Sequence, residues 1–474
     1  MDPIKYQIHT FGCKVNTYDT GLIQKNLKVQ GKTFEASTPN ESSPRIHVLN
    51  TCAVTAEATK EAVKLIRRLK SKDPFCTVVV TGCGAQVDTE AFSSMKAADL
   101  VVANSHKSQL PFIIEKFFKG EIQDKVFKSN IFRKEDLEMG GGEEASHTRA
   151  FLKIQDGCNS FCTYCIIPYA RGKSRSITMK DLAQRVNELY AMGVREVVLT
   201  GVHIGDYEDV MGSTQFKLED LIEYLLMKTQ MPRFRLSSLE PVEVTSKLLD
   251  LYVKNDRLCP HFHMSIQSAQ SKVLKDMKRH YGQQEVIQSL NQIREKIPNA
   301  FIGMDVIVGF PTETHEDFEE TYLTLAQLPW TKIHVFPYSE RQGTRAAVME
   351  VSVPVQERQQ RAMRLRELSL DRFEETARAQ IGSLKEILLL NYNHKKKAEK
   401  VQTYMMGVSR DYWNVKLELN EKLKSFLQEH ELASGSSTDQ GMKKNMQEEI
   451  QVRIIGYEHS DKSSLEGVLR GELV

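Results

Sequence analysis

The chain has little of what marks a secreted or membrane protein. Its 474 residues open on MDPIKYQIHT, which holds no apolar signal core. No run approaches the ~20 apolar residues that a spanning helix needs. Charge of one sign is also lacking. The net charge is only +2, so a nucleic-acid role has to rest on local patches. There is no G-x-G-x-x-G turn, which leaves a dinucleotide site without support. Cysteines number eight in a long chain without a secretory signal, so no disulfide framework is expected. The expectation is a soluble protein of the reducing cytoplasm.

What is present is more specific. Apolar residues make up 41 %, enough for a core, and the length suits about three domains. Cys158, Cys162 and Cys165 stand in GCNSFCTYC as C-x3-C-x2-C. Three thiolates on one tight turn hold three corners of a 4Fe-4S cubane, and no fourth cysteine lies nearby to close it. The fourth iron would stay open to an outside ligand. Structural zinc sites take paired C-x2-C units with a fourth Cys or His, so zinc stands as the second reading. Cys13, Cys52 and Cys83 form a second, dispersed set, each where a strand meets a loop. Cys76 and Cys259 fit no ligand spacing and read as buried thiols.

The pattern of elements is α/β. Residues 1–132 alternate strands and helices in a Rossmann- or flavodoxin-like manner. Residues 133–147 contain Gly140, Gly141 and Gly142 with acidic flanks and read as a linker. Residues 148–380 give six strand–helix units, a partial (β/α)6 barrel with an open mouth, ending in a long charged helix packed on its edge. Period two along His261–Gln267 puts His261, His263, Ser265 and Gln267 on one face, toward the lumen. His203, His334 and Tyr338 are further lumen candidates. Residues 381–474 read as a small antiparallel β-barrel, with strands that include Tyr412–Leu419. A polar insertion at about 425–448 is expected to be disordered.

The phrases KIQDGCNSFCTYCIIPYARGKSRS, LTGVHIGDY, RLSSLEP, HMSIQSAQ, DVIVGFPTET and HVFPYSERQGT follow one another in order. With the two cysteine sets they resemble the radical S-adenosylmethionine (SAM) methylthiotransferase family across essentially the whole chain. The wording FGCKVN, through Lys14 and Val15, resembles the branch acting on N6-threonylcarbamoyladenosine at tRNA position 37. The ending GVLRGELV resembles a TRAM domain, which binds RNA.

That resemblance implies two 4Fe-4S clusters, on Cys158, Cys162 and Cys165 and on Cys13, Cys52 and Cys83. It implies SAM used twice, as methyl donor and as radical source, with the adenine 2-carbon gaining a methylthio group. It also implies SAM contacts at Tyr164, Thr200, Gly201, Ser238, Glu240, Gln267 and Gly309. The implied partners are tRNA and a reductant such as a flavodoxin or ferredoxin, with no membrane; a monomer is expected. Charge marks two RNA patches. One is Lys64, Arg67 and Arg68 within KEAVKLIRRLKSK; the other is Lys395, Lys396 and Lys397. Tyr404, Tyr412 and Trp413 would either stack on bases or pack a core. Three other readings stay open: action on a ribosomal protein side chain, action on isopentenyladenosine, and an RNA-binding protein with structural metal.

Overall fold

The computed structural model describes residues 4–29, 34–36, 45–135, 137, 148–350, 352–397, 400–426, 449–459 and 467–474. The expected linker and insertion therefore lie largely outside the described residues.

The first sheet has six parallel strands in the order Phe34–Ala36, Ile4–Thr10, Ile46–Thr51, Thr77–Gly82, Leu100–Ala103, Val126–Phe127. This is the flavodoxin-type order. The central strands IHVLNT, TVVVTG and LVVA are buried at every position, as helices on both faces require. Cys13, Cys52 and Cys83 all follow the C-terminal ends of strands in this sheet, where an open α/β sheet gathers its ligands. Helix Ala56–Lys72 starts at Thr55, whose side chain accepts from Ala58 N. It buries Ala62 and Ile66 and leaves Lys64, Arg67 and Arg68 exposed.

The second system is an arc of six parallel strand positions. They are Arg149–Lys153, Glu196–Thr200, a third in two pieces, His261–Gln267, Phe301–Val308 and Lys332–Pro337. The third position breaks at Ser237. Arg233–Leu236 pairs with the second strand, and Ser238–Leu239 pairs with the fourth. Among the described residues the first and last strands share no pairing, so the arc stays open as six units predict.

Alternation decides what faces inward. Phe262, Met264 and Ile266 are buried outward against helices, while His263 and Asp305 face the lumen with side chains 20 % and 22 % exposed. The inner face of this wall thus carries polar, partly open side chains, unlike the packed apolar layers of a closed eight-stranded barrel. Helix Lys14–Val29 packs along the first strand and covers one side of the gap. Helix Val355–Arg378 packs on the last strand, with Ser369 Oγ accepting from Ile333 N at 2.8 Å.

The third system is a closed five-stranded barrel in the order Leu384–Lys397, Lys400–Ser409, Asn414–Glu418, Val468–Leu473, Glu449–Glu458. Two expectations need correction here. The barrel is not wholly antiparallel, because Asn414–Glu418 and Val468–Leu473 run parallel. Two strands that run the same way need a crossover, and the chain between them supplies one by way of Glu449–Glu458. Tyr412 and Trp413 are not in a strand but in the turn before one, with Tyr412 at φ 72°. Trp413 is buried, in the core of this barrel. Cys76 and Cys259 are buried, as expected. Among the described residues, no helix is long and apolar enough to cross a membrane.

Candidate cluster and cofactor site

The first cysteine set sits on the loop after the first barrel strand. Gly157 opens the loop at φ 79°, and a Cβ there would collide with the carbonyl of Lys173. Phe161, between two cysteines, is held at φ 48°, a backbone strain of the kind that clusters at functional sites. Ser160 N donates to Cys158 Sγ at 3.4 Å, and Arg279 Nη1 donates to Cys162 Sγ at 3.1 Å. Burial, with Cys162 and Cys158 in electrostatic range, pushes the Cys165 thiol up to about 12. A bound metal would have to displace that proton.

The second set forms at the N-terminal sheet. A Cβ on Gly12 would stand 2.6 Å from Cys52 Sγ, so glycine is what lets Cys13 come down onto Cys52. Arg171 Nε donates to Cys83 Sγ at 3.2 Å, and Asn104 Nδ2 approaches it at 3.6 Å. Burial, then Cys83 and Cys13, push the Cys52 thiol up to about 11.

Each set offers three soft donors ringed by N–H groups, and the remaining cysteines are buried elsewhere. That donor chemistry fits a 4Fe-4S cubane with one open iron. A closed zinc site would need a fourth ligand. His203 is the nearest candidate, but Nε2 meets Glu243 Oε1 at 2.5 Å and Nδ1 faces Asp206 at 3.3 Å. Burial opposes charge on this ring, yet its bonds to Asp206, Cys158 and Glu243 outweigh that and raise its pKa, so it acts as a donor.

One short segment joins the two sets. Helix Ile167–Arg171 begins two residues after Cys165, and Arg171 turns back into a buried network. Its Nη1 bonds Asp156 at 2.8 Å, and its Nη2 bonds Asn16 at 2.6 Å and Asp19 at 3.0 Å. Lys153 and Lys107 also reach Asp19, at 2.7 and 3.0 Å.

The sequence-derived cofactor residues divide in the structure. Glu240 Oε1 pairs with Arg279 at 2.7 Å and lies 3.3 Å from His203. Tyr164 packs against the apolar group of Val273, Met277 and Phe310, and burial pushes its phenol well above the usual range, with Arg279 opposing. Gly201 lies against Gln155, whose Oε1 accepts from Val202 N and His203 N at 3.1 and 3.0 Å and ties the loop after Thr200 to the cysteine loop. Ser238 Oγ lies 3.3 Å from His263 Nδ1 in the lumen wall. Gln267 ends its strand at φ 61°. Gly309, at φ 72°, makes its close approach to the Arg358 side chain, which fills the place of a Cβ. His334 lies two strands along the same wall from His263, ring centroids 5.8 Å apart. Tyr338 is instead buried against Phe310. Lys395, Lys396 and Lys397 end the first strand of the last barrel.

Arg279, Arg171, Gln155 and Glu243 carry much of this geometry and were not anticipated. The run YARGKS places Arg171 six residues after Cys165, a spacing too loose to signal contact with Cys83.

Residues 152–325 match the Radical SAM superfamily, and residues 5–103 match a family described as "Uncharacterized protein family UPF0004". The radical SAM methyltransferase TsrM from Kitasatospora setae shares the fold. Its TM-score is 0.52 at 14 % identity, covering 73 % of this chain and 75 % of that one. Fold and cysteine loop thus define a radical SAM protein, a class that works with a 4Fe-4S cluster and SAM.

Likeness over longer stretches goes further. The chain is 38 % identical over 366 residues to "Threonylcarbamoyladenosine tRNA methylthiotransferase MtaB" of Aquifex aeolicus (strain VF5), covering 77 % of this chain and 88 % of the relative. It is 31 % identical over 368 residues to a "tRNA-2-methylthio-N(6)-dimethylallyladenosine synthase" of Staphylococcus epidermidis (strain ATCC 35984), covering 76 % and 70 %. The chain belongs to the threonylcarbamoyladenosine tRNA methylthiotransferase family.

Proposed function

We propose that this protein methylthiolates the adenine 2-carbon of N6-threonylcarbamoyladenosine at position 37 of tRNA. The observation that carries the proposal is the likeness to a relative named for that nucleoside, over 77 % of this chain. Cys158, Cys162 and Cys165 would hold the cluster that works with SAM, and Cys13, Cys52 and Cys83 a second one. When bound, these groups supply the one-electron chemistry that an inert C–H bond demands and the sulfur that replaces it.

The chain's own residues prepare that chemistry. Arg279 donates to Cys162 and pairs with Glu240, so a strand-end carboxylate is held beside the cysteine loop. Gln155 pins Val202 and His203 against that loop and fixes the mouth of the lumen. Tyr164, Thr200, Gly201, Ser238, Glu240, Gln267 and Gly309 are the proposed SAM contacts. Helix Lys14–Val29 packs against the first strand of the arc, at its open side. Lys64, Arg67 and Arg68, with Lys395, Lys396 and Lys397, are the proposed phosphate contacts. A flavodoxin or ferredoxin would supply electrons, and a tRNA substrate places the work in the cytoplasm.

Nucleoside mass spectrometry of total tRNA, from cells with and without the gene, tests the reading. The expected result is loss of the 2-methylthio form of threonylcarbamoyladenosine alone. Loss of the isopentenyl form instead would reassign the base. An unchanged profile would overturn the tRNA reading.

A further inference from the structure

An open cavity of about 780 Å³ lies where the N-terminal sheet meets the arc. Three segments wall it. Gln86 and Val87 come from helix Cys83–Val87, Phe132 from the short helix Ile131–Arg133, and Ile166 and Tyr169 from the chain just after Cys165. Ile166 also shares one apolar group with Cys83, Ala53 and Ala170. It is thus at once a wall of the cavity, the next residue after a cysteine of the first set and a packing neighbour of the second.

Three aromatic rings gather here. Phe161, the strained residue between two cysteines, lays its ring on Phe132, centroids 6.2 Å and planes 23° apart. Tyr169 stands nearly perpendicular to both rings, at 5.9 and 6.0 Å. None of the three is fully buried: Tyr169 is 45 % exposed, and Phe132 and Phe161 are half-buried. Open aromatic area beside a cavity marks a binding surface. Two cations flank the rings. Lys128 lines the cavity, and the Lys278 ammonium stands 6.0 Å from the Phe161 ring centroid. Both lysines are exposed, and among the described residues neither pairs with a carboxylate. Of the lining carboxylates, Asp88 is neutralised by Arg341, and Glu90 stays exposed on the rim. Charge alone is therefore too balanced to hold a polyanion here. The rings carry the recognition, and ring faces flanked by cations suit a base and its phosphate.

We propose that Phe132, Phe161 and Tyr169 form a stacking site for an unpaired nucleotide of the anticodon loop next to position 37. The inference rests on the function proposed above. A base delivered to the lumen must leave the stack of its loop, and its neighbour then loses a stacking partner. The three rings would replace that partner beside both cysteine sets, and so hold the loop in the register that presents position 37.

The test uses the full chain with its clusters reconstituted, and anticodon stem-loop RNAs that carry threonylcarbamoyladenosine at position 37. The loops are intact, or abasic immediately before or after that position, and binding is read by fluorescence anisotropy. The wild type is expected to lose roughly tenfold in affinity for one of the two abasic loops. Tyr169→Ala and Phe132→Ala should each lose a similar amount on the intact loop but little more on that abasic loop, because ring and base form one contact. Tyr169→Phe keeps a ring and should bind like the wild type, and iron content should be unchanged in all three variants. Equal wild-type affinity for the intact and both abasic loops would overturn the inference, and needs no variant to be seen. So would alanine variants that weaken intact and abasic loops alike. Alanine variants that bind RNA normally but accept electrons more slowly from a flavodoxin would overturn it in favour of a protein donor. A wild type that binds the loops but modifies none of them would instead overturn the function itself.

Discussion

Arg171 Nε donates to Cys83 Sγ at 3.2 Å, although Arg171 belongs to the loop that carries the other cysteine set. One guanidinium thus fixes a thiol of the N-terminal sheet from the barrel side, across a chain separation of 88 residues.

Replacing Arg171 should disturb the N-terminal set first. Arg171→Gln leaves Asp19 and Asp156 with fewer cations and removes the donor to Cys83. The expected outcome is lower iron and sulfide content, and a stability loss of about 3–5 kcal/mol for a broken buried pair. Iron assay and urea denaturation measure the two. Iron content matching the wild type would refute the first part.

The same network predicts acid sensitivity. Burial opposes charge on Asp19 and Asp156. Lys107, Lys153 and Arg171 outweigh it at Asp19, and Arg171 and Lys153 do so at Asp156, so both carboxyls sit well below the ordinary range. Groups depressed in the folded state stabilise fully above their unfolded pKa of about 3.9 and lose that contribution as pH falls toward the folded value. Denaturation midpoints should therefore drop steeply below about pH 4. Asp156→Asn should be weaker at pH 7 but flatter in acid; a parallel decline would contradict this.

Tyr412 should hold the last barrel to the central arc. It stacks on His261 and meets Phe301 edge-on, centroids 5.9 Å apart. Tyr412→Ala is expected to cost about 3–5 kcal/mol, as for large aromatic truncations. Limited proteolysis near residue 380 should speed up with it, and unchanged cleavage would count against the docking role.

Gly309→Ala should destabilise on two grounds, positive φ and collision with Arg358, whose guanidinium bonds Tyr338 O and Val353 O. The expected cost is about 1–3 kcal/mol, read by thermal melting. Pairing it with Arg358→Ala should give less than the sum of the two losses, because the second change removes the Cγ that stands nearest the new Cβ.

Much of this was legible in the chain. The cysteine spacings, the six strand–helix units and the alternation along His261–Gln267 rest on local patterns, which sequence carries directly. What escaped depends on long-range placement. Arg279 reaches Cys162 over 117 positions, and nothing near RHY signals a thiol partner. Ser237 breaks the third strand where its pairing passes from the second strand to the fourth, a demand of sheet curvature and not of propensity. Tyr412 sits in a run of aromatic and apolar residues that suits a strand, but its backbone at φ 72° is set by the surface it docks on. The parallel pair in the last barrel follows from a crossover, which pairing patterns within each strand do not reveal.

The lower edge of the arc rests on the last barrel. Arg233 bonds Glu449 and the carbonyls of Val408 and Ser409, Arg235 bonds the carbonyls of Ser409 and Arg410, and Arg410 returns to Asp256 O at 2.9 Å. The small barrel at the end of the chain is thus tied to the arc by arginines from both sides. The consequence is for ancestry: the last barrel cannot be traded between relatives like a cassette, because it and the third strand must change together or not at all.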